Sequence, residues 1–258
     1  MCLLVVAWQS HPRYRLIVAG NRDEFHERPA APLGWWPDEP AILAGRDLRA
    51  GGTWLGVSRS GRVGLVTNFR DADAAVRDDA PSRGALVPAF LRDGRSAESW
   101  LDELQASASR YAGFNLLLGD ASGLHYFANV DGAAPRALAP GIYGLSNHRL
   151  DEPWPKLVRT RAGFAAVVRD DDPAPAALLE LLGDATPAIT GDVADTGLPA
   201  DLERALSAPF VRHAHYGTRC STVVLVGHDG RTAVHERRFE PTGVAAGATH
   251  VEFAGPAA

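Results

Sequence analysis

The order in which hydrophobic patterns succeed one another most limits what this chain can fold into. Short runs of strand character come first: Leu3–Trp8, Arg15–Gly20, Thr53–Ser58 and Arg62–Asn68, punctuated by Ser, Pro and Gly. Helical spacing follows. Ser82 heads a segment with Leu86, Phe90 and Leu91 on one side, and Ser96 heads another with Trp100, Leu101 and Leu104. Strand patterns return at Asn115–Leu118, Leu124–Asn129 and Ile142–Leu145. Helical ones follow from Pro153 to Val168, at Ala176–Leu182 and at Ala200–Leu206, before final strands at Ser221–Gly227 and Thr232–Phe239. A doubly wound parallel sheet alternates single strands with single helices, so this order excludes it. The blocks predict an α+β fold, a four-layer α-β-β-α sandwich of two mainly antiparallel sheets with helices outside. Arg59-Ser60-Gly61, Asp120–Gly123 and His228-Asp229-Gly230 read as hairpin turns. Pro29–Pro40 reads as an irregular surface segment, and the Ala- and Gly-rich tail after Glu240 as loose at its very end. No linker or repeat divides residues 1–258, which are expected to form one domain.

Composition narrows the class of partner. The formal charge of −5 with no long basic run speaks against nucleic acid, whose binding rests on clustered Lys and Arg. Arginine dominates the basic residues, Lys156 being the only lysine. The two cysteines, Cys2 and Cys220, form no C-x-x-C pair and no disulfide framework. The apolar run Leu3–Trp8 lacks a basic leader and ends at Gln9-Ser10-His11, unlike a signal peptide. No run approaches the roughly 18 to 20 apolar residues of a membrane span. A cytoplasmic location, no membrane span, no cofactor and a small-molecule ligand or substrate are the expectations.

Position 2 carries the chemistry. Cysteine is small enough for the initiator Met1 to be removed, which would leave a thiol and a free α-amine on one residue. An α-amine has a pKa of about 7.7 to 8.0, suited to a general base, and a thiol near 8.5 is strongly nucleophilic once ionised. Nucleophile and base then come from one residue, as in N-terminal threonine enzymes. A cysteine heading a strand is more often incidental, so its company matters. Asn21-Arg22-Asp23-Glu24 follows the second strand, which a hairpin brings alongside Cys2. Asn68 and Asn147 stand at strand ends, where amide side chains suit an oxyanion hole. Arg219 puts a charge where the last hairpin begins.

Met1-Cys2, Asn21-Arg22-Asp23-Glu24, Thr67-Asn68-Phe69, Leu145-Ser146-Asn147 and Tyr216-Gly217-Thr218-Arg219, in that order, resemble the NRDE family, relatives of transport and Golgi organisation protein 2. The resemblance spans residue 2 to about residue 240 and implies an N-terminal-nucleophile (Ntn) hydrolase-like fold. More distantly the chain is similar to the N-terminal cysteine amidases that act on penicillin V and conjugated bile acids. That likeness implies catalytic roles for Cys2, Asp23, Asn147 and Arg219, with Asn68 as a further oxyanion candidate. Those amidases place their arginine and aspartate three apart, whereas Arg22 and Asp23 are adjacent, and strand neighbours point to opposite faces. The expectation is Asp23 inward with Asn21 on its face, Arg22 being left open. Asn21, Arg22, Glu24 and Trp54 are the candidate binding residues. The implied activity is hydrolysis of a non-peptide carbon–nitrogen amide bond in a small molecule. The alternative is a non-catalytic carrier of heme, acyl-CoA or lipid in the same cleft.

Other features read more plainly. His213 and His215 lack a third ligand and are expected to be polar loop residues rather than a metal site. Gly51-Gly52 precedes no helix, so it is no phosphate loop and instead lets two backbones pass closely. Trp35, Trp36, Trp54 and Trp154 are aromatic candidates for a pocket wall, though core packing is commoner. Cys220 is expected to be a buried structural thiol.

Overall fold

The computed structural model describes residues 2–70, 80–130, 132–194 and 196–255. The first sheet has six antiparallel strands. In chain order these are β1 (Cys2–Trp8), β2 (Tyr14–Phe25), β10 (Gly141–Leu145), β11 (Tyr216–Gly227), β12 (Arg231–Phe239) and β13 (Ala245–Ala254). Across the sheet they run β10-β1-β2-β11-β12-β13. The second sheet has seven strands in sequence order: β3 (Ala30–Trp35), β4 (Ile42–Asp47), β5 (Leu55–Ser58), β6 (Val63–Asn68), β7 (Phe114–Asp120), β8 (Gly123–Ala128) and β9 (Arg136–Ala137). Helices α1 (Leu86–Arg92) and α2 (Ala97–Gln105) cover one sheet. Helices α3 (Pro155–Val167) and α4 (Pro175–Leu181) cover the other, and α5 (Ala200–Leu206) precedes β11. The result is the expected four-layer α-β-β-α sandwich.

Strand alternation builds these layers. Leu4, Val6, Leu16 and Val18 face the opposite sheet, meeting Leu43, Val57, Leu65 and Leu117. Leu3, Val5, Ile17 and Ala19 face Leu157, Phe164 and Leu178 of the helices. The central strands are therefore apolar on both sides, which is why β1 reads as an unbroken hydrophobic run. On the far side, Ile42, Leu116 and Leu118 pack on Phe90 and Leu101. Ser96 caps α2 by accepting from the Ser99 N–H. Gly61, at φ +78°, makes the β5–β6 turn.

Five sequence expectations need correction. Asn21-Arg22-Asp23-Glu24 is not a segment beyond the strand but part of β2, paired with β1 and β11. Pro29–Pro40 is not irregular throughout: β3 is an edge strand, where a proline without an N–H is tolerated, with a register shift between Ala31 and Gly34. The strands do not end at Phe239: the chain continues into edge strand β13, while the very end, expected to be loose, falls at residues 256–258, outside the described residues. Helix α3 opens on Pro155 rather than Pro153, and Ser82 makes no side-chain cap. Among the described residues, no helix is long and apolar enough to cross a membrane.

Candidate active site

Strand β10 ends at Leu145, opposite Leu4, so β1 loses its outer neighbour two residues before its start. Side chains take over there. Asn147 Oδ1 accepts from the Cys2 backbone N–H at 3.3 Å, and Ser146 Oγ donates to the Cys2 carbonyl at 3.2 Å. The Asn147 amide also donates to the Asn68 carbonyl at 2.9 Å, which ties the end of β6, in the other sheet, to the start of β1. That bond engages one of the two N–H donors of the Asn147 amide. Asn68 makes no side-chain hydrogen bond among the described residues and lines the cavity in front of Cys2. It is the amide whose N–H remains available there.

The Cys2 thiol stands at the wall of a cavity of about 560 Å³ between the two sheets, only 7% of the residue being exposed. Burial pushes its pKa up and the Asp23 carboxylate adds to this. Arg22 and a hydrogen bond from the Asp23 backbone N–H oppose the rise. In register, Cys2 and Cys220 both lie opposite Arg22, one from each side, and all three line the cavity. Cys220 is a buried free thiol, its pKa also raised by burial. Trp54 forms part of the wall, with its ring close over Gly20: a Cβ there would come within 3.3 Å of the Trp54 ring. Trp36 and Trp35 instead serve the packing, the first beneath α1 and α2, the second against Phe253. Trp154 stacks on His148.

Alternation decides the four-residue stretch in β2. Arg22 shares the face of Cys2 and reaches Asp47 at 3.2 Å and Glu24 at 3.7 Å. One terminal nitrogen of Arg22 is buried with no hydrogen-bond partner. Asn21 and Asp23 project to the opposite face. Asn21 is fully buried there, donating to the carbonyls of Leu182 and Pro209 at 2.8 and 2.9 Å and accepting from Ser221. It fastens helices to sheet and does not touch the cavity, against its expected place in the binding set. Asp23 accepts from Thr218 at 2.7 Å, and its own carbonyl accepts from Tyr216. Burial raises the Asp23 pKa, while Lys156, the Thr218 hydrogen bond and Arg22 oppose the rise. Glu24 accepts from the Phe25 N–H and pairs with Arg22 and Arg28.

Arg219 lines the cavity, but one terminal nitrogen donates to the carbonyls of Phe25 and His26, clamping the turn after β2. Three residues of this region escaped the sequence reading. Asp47 holds Arg22 and Arg28 and accepts from the Arg49 and Ala50 N–H groups, which keeps its pKa low despite burial. Arg83 lines the cavity from the segment before α1. Lys156, the only lysine, is 2% exposed beneath Asp23 and donates to the Leu206 carbonyl at 2.8 Å. Only the last had a sequence signal, its singularity. His213 and His215 lie 6.4 Å apart edge to face, and no group of three or more metal-ligating side chains occurs among the described residues.

The model of the family described as Transport and Golgi organisation 2 matches residues 1–241. The bovine (Bos taurus) Transport and Golgi organization protein 2 homolog is 35% identical over 261 residues, covering 92% of each chain. The chain belongs to the Transport and Golgi organisation 2 family. The human (Homo sapiens) homolog is 34% identical over 259 residues, again with 92% of each covered. Drosophila melanogaster Transport and Golgi organization protein 2 is 28% identical over 90% of this chain and 89% of its own. Among solved structures, the Caenorhabditis elegans ortholog of N-acylethanolamine-hydrolyzing acid amidase matches with a TM-score of 0.46 and 10% identity, over 87% of this chain and 92% of its own. A mutant conjugated bile acid hydrolase from Clostridium perfringens matches with a TM-score of 0.48 and 8% identity, over 98% and 92%.

Proposed function

We propose that this chain is an N-terminal cysteine hydrolase that cleaves a non-peptide carbon–nitrogen amide bond in a small molecule. The observation that carries this reading is the placement of Cys2: its thiol faces a cavity while its nitrogen is held by a side chain rather than by the sheet. Once Met1 is removed, that nitrogen is an α-amine with an ordinary pKa of about 7.7 to 8.0. The amine takes the thiol proton, and the sulfur forms a bond to the amide carbonyl carbon. The Asn68 amide donates to the oxygen that becomes negative, a contribution worth about a hundred- to thousandfold in rate. Collapse breaks the carbon–nitrogen bond, the α-ammonium protonates the departing amine, and a thioester remains. Water then attacks, its proton passing to the α-amine, and the carboxylic acid leaves with the thiol restored.

In this scheme Arg22 lowers the thiol pKa from the cavity side, and Asp23 stabilises the α-ammonium from the other. Asn147 orients the amine. The test is intact mass before and after a thiol-selective electrophile, followed by an amide panel, on wild type and Cys2→Ala. Loss of Met1 with labelling at Cys2 is expected, and full amide cleavage by Cys2→Ala would overturn the reading.

A second reading is favoured by one observation, the upward push of burial on the Cys2 thiol. A thiol whose ionisation is opposed by burial is a weaker nucleophile, which suits a carrier of acyl-CoA, lipid or heme better than an enzyme. A cavity of about 560 Å³ suits such a ligand, pockets for small molecules running from about 300 to 1,000 Å³. Heme suits it less, because no histidine lines the cavity among the described residues. Saturable binding of an acyl-CoA that survives Cys2→Ala, with no product formed by wild type, would select this reading.

A further inference from the structure

Among the described residues six arginines line the cavity, and their partners divide them. Arg22 and Arg28 share Asp47 and Glu24, Arg46 is paired with Asp38, and Arg238 with Glu236. Arg83 and Arg219 have no carboxylate partner among the described residues. Arg83 donates to the Gly113 carbonyl at 2.9 Å, and Arg219 to carbonyls of the turn after β2. A carbonyl satisfies an N–H but cancels no charge. Burial lowers the Arg83 pKa; nearby Glu24 favours its charge, Arg28 opposes it, and Cys2 favours it more weakly. The segment carrying Arg83 is fixed in place, because Gly52 lies so close to Gly84 that a Cβ would come within 2.3 Å of its carbonyl oxygen. Thr53 N–H donates to that same oxygen at 3.0 Å. Of the remaining carboxylates on the wall, Asp23 is held by Thr218 on the far face and Glu240 is exposed to solvent.

Arg83 and Arg219 are half-buried at this wall and bonded to carbonyls rather than paired with carboxylates among the described residues, so an anion in the cavity would gain from both charges. Guanidinium forks also match carboxylate and phosphate oxygens in geometry. We infer that the Cys2 cavity takes a ligand bearing an anionic oxygen group, carboxylate or phosphate, and that Arg83 and Arg219 receive it. The position of the reacting carbonyl at Cys2 rests on the hydrolase reading; the anion site does not.

The test compares alkylation of Cys2 by iodoacetate and by iodoacetamide, which differ in charge, with peptide mapping to separate Cys2 from Cys220. A cleft of one sign raises the encounter rate of the opposite charge by about tenfold or more. The iodoacetate-to-iodoacetamide rate ratio is therefore expected to fall about tenfold in Arg83→Gln and in Arg219→Gln. It should not move in Arg110→Gln, outside the cavity. Two separate variants guard against one failing to fold. Protection of Cys2 by hexanoate against hexyl phosphate distinguishes the two anions. Alkylation with a ratio unchanged in both variants overturns the anion site and leaves the nucleophile standing. No alkylation by either reagent removes the nucleophile instead. The anion site is then read from thermal stabilisation by hexanoate or hexyl phosphate, expected in wild type and lost in both variants. Equal stabilisation of all three proteins overturns it.

Discussion

Lys156 offers the most quantitative test of the charge arrangement behind Cys2. Burial lowers its pKa from 10.5 to about 8, with the Asp23 carboxylate pulling the other way. The unfolded chain therefore binds more protons than the folded one between these two values. Stability must rise with pH across that window, the penalty being full below pH 8 and gone above 10.5. A shift of this size corresponds to about 3 kcal/mol. Other groups titrate there too. The Cys2 and Cys220 thiols, raised by burial, act with the opposite sign, because the unfolded chain loses those protons first. Lys156→Met removes the amine while keeping an unbranched side chain of similar length, and its loss of the Leu206 bond is a constant across pH. Urea unfolding of both proteins at pH 7, 8.5 and 10 should show the wild type gaining about 2.5 kcal/mol more than the variant over that range. Because Lys156 is the only lysine, the lysine εCH₂ signal in NMR reports it alone and should titrate near pH 8. A midpoint at the ordinary lysine value, with parallel stability curves, would refute the reasoning.

Two further variants test the frame of the site. Gly52→Ala forces its Cβ against the Gly84 carbonyl, and should lower urea stability by about 1–3 kcal/mol as the backbone gives way. Asn21→Leu leaves the Leu182 and Pro209 carbonyls and the Ser221 hydroxyl without their partner, and should destabilise by about 3 kcal/mol. Cys2 alkylation in the folded Asn21→Leu variant should stay at the wild-type rate, since Asn21 faces the helices; a large fall would place it in the cavity after all.

The sandwich was legible because periodicity survives in each layer: Leu3 to Trp8 alternates between two apolar environments, and Trp100, Leu101 and Leu104 mark one face of α2. Strands β3 and β13 were not, because edge strands tolerate proline, glycine and exposed alanine, which erase the pattern. The hairpin order alone brought Arg22 and Asp23 beside Cys2, whereas the grouping of Asn68 and Asn147 with them came from the family resemblance. Their directions were not legible. The assignment of Asn21 and Asp23 to one face was correct, but whether that face meets the cavity depends on the register of three strands. Arg83 left no trace at all. Its place in the cavity wall comes from the contact of Gly52 with Gly84, and the Gly51-Gly52 pair announced the close passage but not what would be carried there.

The register also explains why position 2, rather than another place in β1, suits a cysteine of this kind. Within a strand, a residue's nitrogen is committed to the ladder, and a thiol there has no base of its own. At Cys2 the outer ladder has already ended, since β10 leaves at Leu145 opposite Leu4. Asn147 and Ser146 bond the Cys2 nitrogen and carbonyl in its place. Loss of Met1 therefore removes none of the backbone bonds that pair β1 with β10, and the nitrogen it frees already faces an acceptor. Alternation then gives the residue two separate surroundings. Arg22 meets the thiol from the cavity, while Asp23, on the other face, reaches it only through a backbone N–H and the field of its carboxylate. A carboxylate so placed can hold an ammonium group without occupying the space a ligand needs. In the proposed hydrolase, adjacent residues of opposite charge in β2 would serve the two faces of Cys2 separately.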